Sequence, residues 1–317
     1  MARIEGFVAM SHSPFWDTNA PVSGPGETFV RGVAEARAAV ARIKPDAVVI
    51  FGPDHFRNFF YDVLPPFCIG LESVVGFGDY GTPKGELPLD RALARAIQAG
   101  VTEAGFDPAV SLKMGIDHGL SQAYAVLEPS LKTPMVPIMV NASGSPRPTM
   151  RRCHAFGKAV GDAIRAMPDN KRVLILASGG LSHWIRPVSE EDPATTAETR
   201  DYVINGRERV VEYSAARDAS LQERIKQGVD GRVNAEWDRW FLDTLSSGDL
   251  SPILSLTDDV LQENAGNGSH ELRAWVAAMG AWGGPVAPIA YEPVRSWVTG
   301  MGCLGGFAGD MAKGRAA

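Results

Sequence analysis

The sequence of 317 residues predicts an α/β fold with a mixed or mostly parallel central sheet, helices on both faces and a helical C-terminal portion. Short, nearly continuous apolar runs, typical of strands buried on both faces, recur along the first two-thirds of the chain. Segments with apolar residues at helical spacing separate these runs. Beyond His183 the chain is rich in charge and poor in strand formers. Strands that alternate with helices indicate a doubly wound sheet, and the charged remainder indicates helices.

The individual elements are predicted in chain order. Strands are expected at residues 4–10, 47–51, 67–70, 109–114, 135–141 and 172–177. Helices are expected at residues 26–43, 90–104, 121–127 and 149–166, then within 190–231 and at 234–241. A further helix is expected from Ser269 to residue 281, because Ser269-His270-Glu271-Leu272 resembles an N-cap with an acidic first turn. Residues 300–309 are expected to form a loop, since five of these ten positions are glycine.

Composition and charge narrow the possible functions. A net charge of −6 without a Lys/Arg cluster argues against a nucleic-acid partner. No apolar run approaches the ~20 residues that span a bilayer, and the N-terminus lacks the apolar core of a signal peptide. Three cysteines without CxxC spacing predict neither a disulfide framework nor a zinc knuckle. We therefore expect a cytoplasmic protein in which residues 1–317 form one domain, with no membrane association.

Four of the six histidines follow the carboxyl ends of predicted strands, namely His12, His55, His118 and His183. Ligands bind at that edge of open α/β sheets. A lone histidine is more often a satisfied core or surface residue than a ligand, but four at equivalent positions favour a metal or acid-base site. His154 lies inside a predicted helix, and we expect no such role for it.

His270 and Glu271 compete for a third ligand position, because adjacent residues on a helix point about 100° apart and cannot both face one metal. Two histidines and one carboxylate form the facial triad that leaves three positions open on Fe(II). Glu271 therefore fits better than His270. The alternative for Glu271 is an acidic residue that stabilises the N-terminus of the helix.

The strings around these residues are specific. They are Ser11-His12-Ser13-Pro14, Gly52-Pro53-Asp54-His55, Asp117-His118-Gly119, Leu176-Ala177-Ser178-Gly179-Gly180-Leu181-Ser182-His183 and His270-Glu271-Leu272. Together they resemble the class III extradiol ring-cleaving dioxygenases, most closely the 2,3-dihydroxyphenylpropionate 1,2-dioxygenase (3-carboxyethylcatechol 2,3-dioxygenase) branch. The resemblance extends from about residue 4 to about residue 302.

This resemblance implies a non-haem Fe(II) enzyme of aromatic catabolism, held as a homo-oligomer. Its reaction inserts both atoms of O2 into a catechol, such as 2,3-dihydroxyphenylpropionate, and gives a muconic semialdehyde-type product. The resemblance implies that His12, His55 and Glu271 hold Fe(II), while His118 and His183 form an acid-base pair. We assign His183 as the base that deprotonates the catechol and His118 as the acid, since imidazole exchanges protons near neutral pH.

Three residues are expected beside the ligands. Asp54 and Asp117 each precede a key histidine and could orient an imidazole through a hydrogen bond, with a turn-forming aspartate as the alternative. His270 neighbours Glu271.

Four residues near the histidine loops are candidates for substrate binding. Tyr61 could wall an aromatic pocket, although such a residue is as often part of a core. Arg57, Asn58 and Arg186 could meet a substrate carboxylate through a charge-assisted contact, with an ordinary surface position as the alternative.

Two rival functions use the same residues. A zinc-dependent hydrolase could bind Zn²⁺ and water with the His/His/Glu set. A non-enzymatic, partner-binding protein of the same fold is the other rival, but all five site positions are filled. Ser178 lacks the Gly-x-Ser-x-Gly pattern of a hydrolase nucleophile.

Overall fold

A mixed sheet of eight strands forms the centre of the structure, a computed structural model that describes residues 1–228 and 230–309. The described strands are β1 (Arg3–Met10), β2 (Ala47–Gly52), β3 (Phe67–Gly70), β4 (Val74–Phe77), β5 (Lys84–Leu87), β6 (Ala109–Ser111), β7 (Met114–Ile116), β8 (Met135–Val140), β9 (Arg172–Ser178), β10 (Ala287–Val294) and β11 (Thr299–Phe307). The described α-helices are α1 (Glu27–Ile43), α2 (Arg91–Glu103), α3 (His118–Leu127), α4 (Met150–Ala166), α5 (Ala197–Asn205), α6 (Val210–Lys226), α7 (Ala235–Ser247), α8 (Ser251–Leu254), α9 (Asp258–Ala265) and α10 (Leu272–Trp282).

The strand order across the large sheet is β10-β11-β1-β9-β2-β8-β3-β6, and β5, β4 and β7 form a separate small sheet. The four adjacent strands β1, β9, β2 and β8 are parallel to one another. Strand β3 runs antiparallel to β8, and β11 runs antiparallel to β1. The carboxyl ends of β1, β9 and β2 therefore share one edge of the sheet. The prediction of a mixed, mostly parallel α/β sheet is confirmed, although the run 109–114 divides into β6 and β7.

Helices cover both faces of the sheet. Successive strand residues point to opposite faces, so each strand contributes to both cores. Val48 and Ile50 of β2 belong to a core that includes α1 and α3. Val49 and Phe51 belong to the opposite core, which includes α4 and α10. Among the described helices, none combines the length and the apolar character needed to cross a bilayer.

The prediction of a loop at residues 300–309 is wrong, because most of this segment is strand β11, which pairs with β1 and β10. Strand β10 is likewise absent from the predicted elements. Its glycines mark close packing rather than turns. A Cβ on Gly306 would lie 2.4 Å from the carbonyl oxygen of Pro285, and one on Gly302 would lie 2.6 Å from Leu181. The last predicted helix also begins later than expected, at Leu272, after a 3-10 turn.

The close packing of β11 predicts that Gly306→Ala destabilises the fold. The added methyl group would meet backbone atoms that cannot rotate away, and overpacking of this kind costs about 1–3 kcal/mol. Urea unfolding should therefore show a lower midpoint for the variant. Gly309→Ala is the matched control, since among the described residues a Cβ there meets nothing within 4 Å. Equal midpoints for the two variants would contradict this explanation of the glycines.

Candidate active site

Four histidines from separate turns meet at one edge of the large sheet. His12 follows β1, His55 follows β2, His183 follows β9, and His118 begins α3 directly after β7. The ring centroids of His12 and His55 are 5.3 Å apart, and those of His55 and His118 are 4.3 Å apart. Glu271 reaches the same place from the residue before α10. The structure thus brings together the five residues on which the predicted chemistry depends.

The carboxylate of Glu271 lies at the centre of this group. Its Oε1 is 3.0 Å from His55 Nε2 and 3.9 Å from His183 Nε2, and its Oε2 is 3.4 Å from His12 Nε2. Oε2 also accepts a hydrogen bond of 2.7 Å from the backbone N–H of Gly180. The side chain therefore faces the histidines instead of capping α10.

His12 and His55 are each held through Nδ1, the ring nitrogen that does not face Glu271. His12 Nδ1 lies 2.9 Å from Ser178 Oγ, and His55 Nδ1 lies 2.9 Å from Asp117 Oδ2. Contacts of this kind fix the ring orientation of metal-binding histidines and leave Nε2 free for the metal. Two Nε2 atoms and one carboxylate fit the donor set of a 2-His-1-carboxylate metal site.

Burial and neighbouring charges together determine the ionisation of this cluster. It lowers the pKa of His12 to about 3, although Glu271 opposes the shift. Burial acts in the same direction on His55, but contacts with Asp117 and Glu271 outweigh it and raise the pKa of His55 to about 10. The pKa of Glu271 lies below its usual range, because the neighbouring histidines outweigh the effect of burial. Glu271 is therefore an anion at neutral pH, suited to balancing a bound cation.

His118 lies beside the donor set and is held by other residues. Its Nδ1 is 2.6 Å from Asp79 Oδ2, and its ring meets that of Tyr80 edge-on, with centroids 4.8 Å apart. A nitrogen of His118 lies within 4.8 Å of nitrogens of both candidate ligand histidines, so a three-histidine set is the geometric alternative. Glu271 completes the set better, because it contacts both histidines and supplies negative charge.

His183 is oriented by backbone atoms. Its Nδ1 lies 2.8 Å from the carbonyl oxygen of Leu181, which can only accept, so Nδ1 carries the proton and Nε2 faces Glu271. A Cβ on Gly268 would lie 2.1 Å from His183 Nε2. Glycine is therefore required at this position to leave room for the imidazole.

The contact between Asp117 and His55 predicts that Asp117→Asn weakens metal retention by about 10–100-fold, the usual effect of losing a group that orients a ligand. Asparagine can still cap α3, a role that Asp117 fills by accepting from the N–H of Gly119 at 2.9 Å. Competition with a chelator would measure the loss. Asp62→Asn, on the surface and paired with Arg207, is the control and should retain metal as the parent does. Unchanged retention in Asp117→Asn would contradict the orienting role.

The other two residues predicted beside the ligands lie elsewhere. Asp54 accepts hydrogen bonds from the backbone N–H groups of residues 57, 58 and 59, which makes it a turn-forming aspartate. Burial and the charge of Asp117 raise the pKa of Asp54 to about 7. His270 is held by another residue, since its Nδ1 accepts a hydrogen bond of 2.8 Å from Arg273.

A cavity of about 520 Å³ adjoins the cluster and is lined by all four histidines and Glu271. Aromatic side chains form much of its remaining wall, namely Phe15, Phe56, Tyr80, Trp184, Tyr202 and Tyr213. Such a wall suits the flat, apolar face of an aromatic ring.

Of the residues predicted to bind substrate, Arg186 lines this cavity. Tyr61, Arg57 and Asn58 are not among the described residues of its wall. Arg57 is buried and donates a hydrogen bond of 3.3 Å to Tyr80 Oη, so it supports the wall from behind. The geometry therefore gives no support to direct substrate contacts by these three residues.

Sequence patterns did not identify Asp79, Ser178 or Arg217 as site residues. Asp79 lies 39 positions from its partner His118, and no local pattern connects them. Ser178 lies 166 positions from its partner His12. Arg217 and Arg224 lie seven positions apart in a segment expected to be helical, and this spacing could have indicated a shared face.

Comparisons with known proteins concern nearly the whole chain. The sequence model of a family described as the catalytic LigB subunit of aromatic ring-opening dioxygenase matches residues 6–301. A curated Rhodococcus protein named 2,3-dihydroxyphenylpropionate/2,3-dihydroxicinnamic acid 1,2-dioxygenase is 41% identical over 282 residues, 86% of this chain and 87% of that protein. A protein of the same name from Cupriavidus pinatubonensis is 38% identical over 278 residues, with the same two coverages.

Among solved structures, an uncharacterized protein from Escherichia coli K12 is similar, with a TM-score of 0.56. The alignment covers 95% of this chain and 99% of that one at 13% sequence identity. At this identity the likeness concerns the fold alone.

Proposed function

The chain belongs to the LigB family of aromatic ring-opening dioxygenases, and from this premise we propose its substrate, its metal and the roles of its site residues. The enzyme is an extradiol catechol dioxygenase, an oxidoreductase. Its substrate is 2,3-dihydroxyphenylpropionate or a closely related substituted catechol, as the names of its relatives suggest. Cleavage beside the two hydroxyl groups gives a muconic semialdehyde-type product.

His12, His55 and Glu271 hold Fe(II) in this proposal. The observation that carries the assignment is that two Nε2 atoms lie 3.0 and 3.4 Å from the two oxygens of a single buried carboxylate. This donor set is that of non-haem Fe(II) oxygenases and leaves positions open for ligands. When bound, Fe(II) supplies the one-electron chemistry that lets triplet O2 react with a catechol.

The chain's own groups bind the ring and move protons. The carbonyl oxygen of Leu181 holds Nδ1 of His183, so that Nε2 faces the site, where it takes a proton from a catechol hydroxyl. His118 returns a proton during ring opening, and the carboxylate of Asp79 can balance the charge of its protonated form. The aromatic wall that includes Tyr80 holds the ring and excludes water.

We infer a cytoplasmic location and a homo-oligomeric assembly, with residues 1–317 as one catalytic unit. The described cysteines Cys68, Cys153 and Cys303 are buried and unpaired, which supports a reducing compartment. Size-exclusion chromatography with light scattering would test the assembly.

Metal loading tests the proposed reaction. Protein purified without oxygen is divided, loaded with Fe(II) or with Zn²⁺, and mixed with 2,3-dihydroxyphenylpropionate before O2 is admitted. We expect the Fe(II) sample to consume one O2 for each catechol and to form a yellow ring-fission product. The Zn²⁺ sample should do neither. Turnover that follows zinc and proceeds without O2 uptake would instead identify a hydrolase.

A further inference from the structure

Helix α6 forms one side of the active-site cavity. Arg217, Ser220, Leu221 and Arg224 all line this cavity. Their spacing of i, i+3, i+4 and i+7 places them on one face of the helix. Leu221 is the buried residue of that face, so the helix is anchored by an aliphatic side chain between two guanidinium groups. A third guanidinium, that of Arg186, lines the same cavity from the loop after β9.

These three arginines differ from Arg207 and Arg209 in having no acidic partner among the described residues. In the turn before α6, Arg207 pairs with Asp62 and Arg209 pairs with Asp201. Within residues 1–228 and 230–309, no ion pair joins Arg186, Arg217 or Arg224 to a carboxylate. The cavity therefore concentrates positive charge that the described protein groups do not neutralise.

Their positions connect this charge with the metal-binding cluster. Arg217 donates a hydrogen bond of 3.1 Å to the backbone carbonyl of His55, beside a proposed metal ligand. Arg224 lies over the ring of Phe15, with 5.1 Å between Cζ and the ring centroid. Arg186 and Arg224 line the same cavity, and burial together with the charge of Arg186 lowers the pKa of Arg224. An anion bound between them would relieve this repulsion.

We propose that Arg217, Arg224 and Arg186 form a subsite for a carboxylate on the ring substituent of the catechol. This inference rests on the proposed function and adds to it the residues that select an acidic substituent. Guanidinium groups bind carboxylates through paired, charge-assisted hydrogen bonds. His55, Glu271 and the α6 face line one cavity, so a catechol whose hydroxyl groups face His55 and Glu271 can reach the α6 face with its substituent.

A comparison of an acidic catechol with a neutral one of the same shape tests the subsite. The values of kcat/KM for 2,3-dihydroxyphenylpropionate and for 3-propylcatechol are measured in the Fe(II) enzyme, in Arg217→Gln and in Arg224→Gln. We expect the acid-to-neutral ratio to fall by about tenfold or more in each variant, since a hydrogen bond to a charged group is usually worth at least that factor. The loss should appear mainly in KM for the acid. Lys226→Gln, an exposed charge on the same helix, is the control and should keep the parental ratio.

The possible outcomes separate the subsite from the reaction. An unchanged ratio in both arginine variants would overturn the subsite, as would an enzyme that opens both catechols with equal kcat/KM. If Arg217→Gln slows both catechols equally, Arg217 positions His55 and does not read the carboxylate. An Fe(II) enzyme that opens neither catechol would refute the proposed function itself.

Discussion

Replacing Glu271 by glutamine is expected to remove the metal and to reduce ring opening to background. Glutamine keeps the size of the side chain, and its amide oxygen can still accept from the N–H of Gly180. It lacks the negative charge that the two imidazoles and a divalent cation require. Metal affinity should fall by more than the ~10–100-fold typical of losing a group that only orients a ligand. Iron content after anaerobic loading and desalting, together with O2 uptake, would measure both losses.

The control for this experiment is His154→Gln, which changes a histidine of α4 that does not line the described cavity wall. It should retain iron and turnover at parental levels. Circular dichroism of both variants would confirm that the fold is intact. Full iron retention by a folded Glu271→Gln protein would contradict the facial triad and favour the three-histidine alternative with His118.

The central part of the fold could be predicted because its signals are local. A strand buried on both faces needs a continuous apolar run, and β2 and β9 show this directly in the sequence. Strand β11 gives no such signal, because its glycines are required by neighbours distant in sequence. Only the folded chain shows that Gly300 faces Asp238 and that Gly302 faces Leu181. Composition alone suggested a loop at these positions.

The same distinction between local signals and contacts distant in sequence explains which parts of the site could be predicted. The position of a histidine after a strand can be read from the sequence, and parallel strands bring such positions to a common edge. The partner of each histidine cannot be read in this way. Asp117 orients His55 instead of the adjacent His118, because both the N–H and the Nδ1 of His55 point at its carboxylate. Asp79 takes the corresponding place beside His118.

Substitution of either acid-base histidine by alanine is expected to leave iron in place and to slow turnover by about 10²–10⁴-fold, the usual contribution of a positioned acid or base. The two variants should fail at different steps. In the proposed reaction His183 accepts the first proton, because the carbonyl of Leu181 holds its Nδ1 and its Nε2 faces the metal-binding cluster. His118 is paired with the carboxylate of Asp79, an arrangement suited to holding a proton until the ring opens.

Anaerobic binding distinguishes these steps, because a catechol that loses a proton changes its ultraviolet absorption. Adding 2,3-dihydroxyphenylpropionate to the Fe(II) form of His118→Ala should still give the spectrum of the deprotonated catechol, and O2 should then yield little product. The Fe(II) form of His183→Ala should not give that spectrum at neutral pH, and it should recover at higher pH, where the catechol deprotonates without help. The opposite pattern would exchange the two roles. Parental turnover in both variants would show that neither imidazole moves a proton in the reaction.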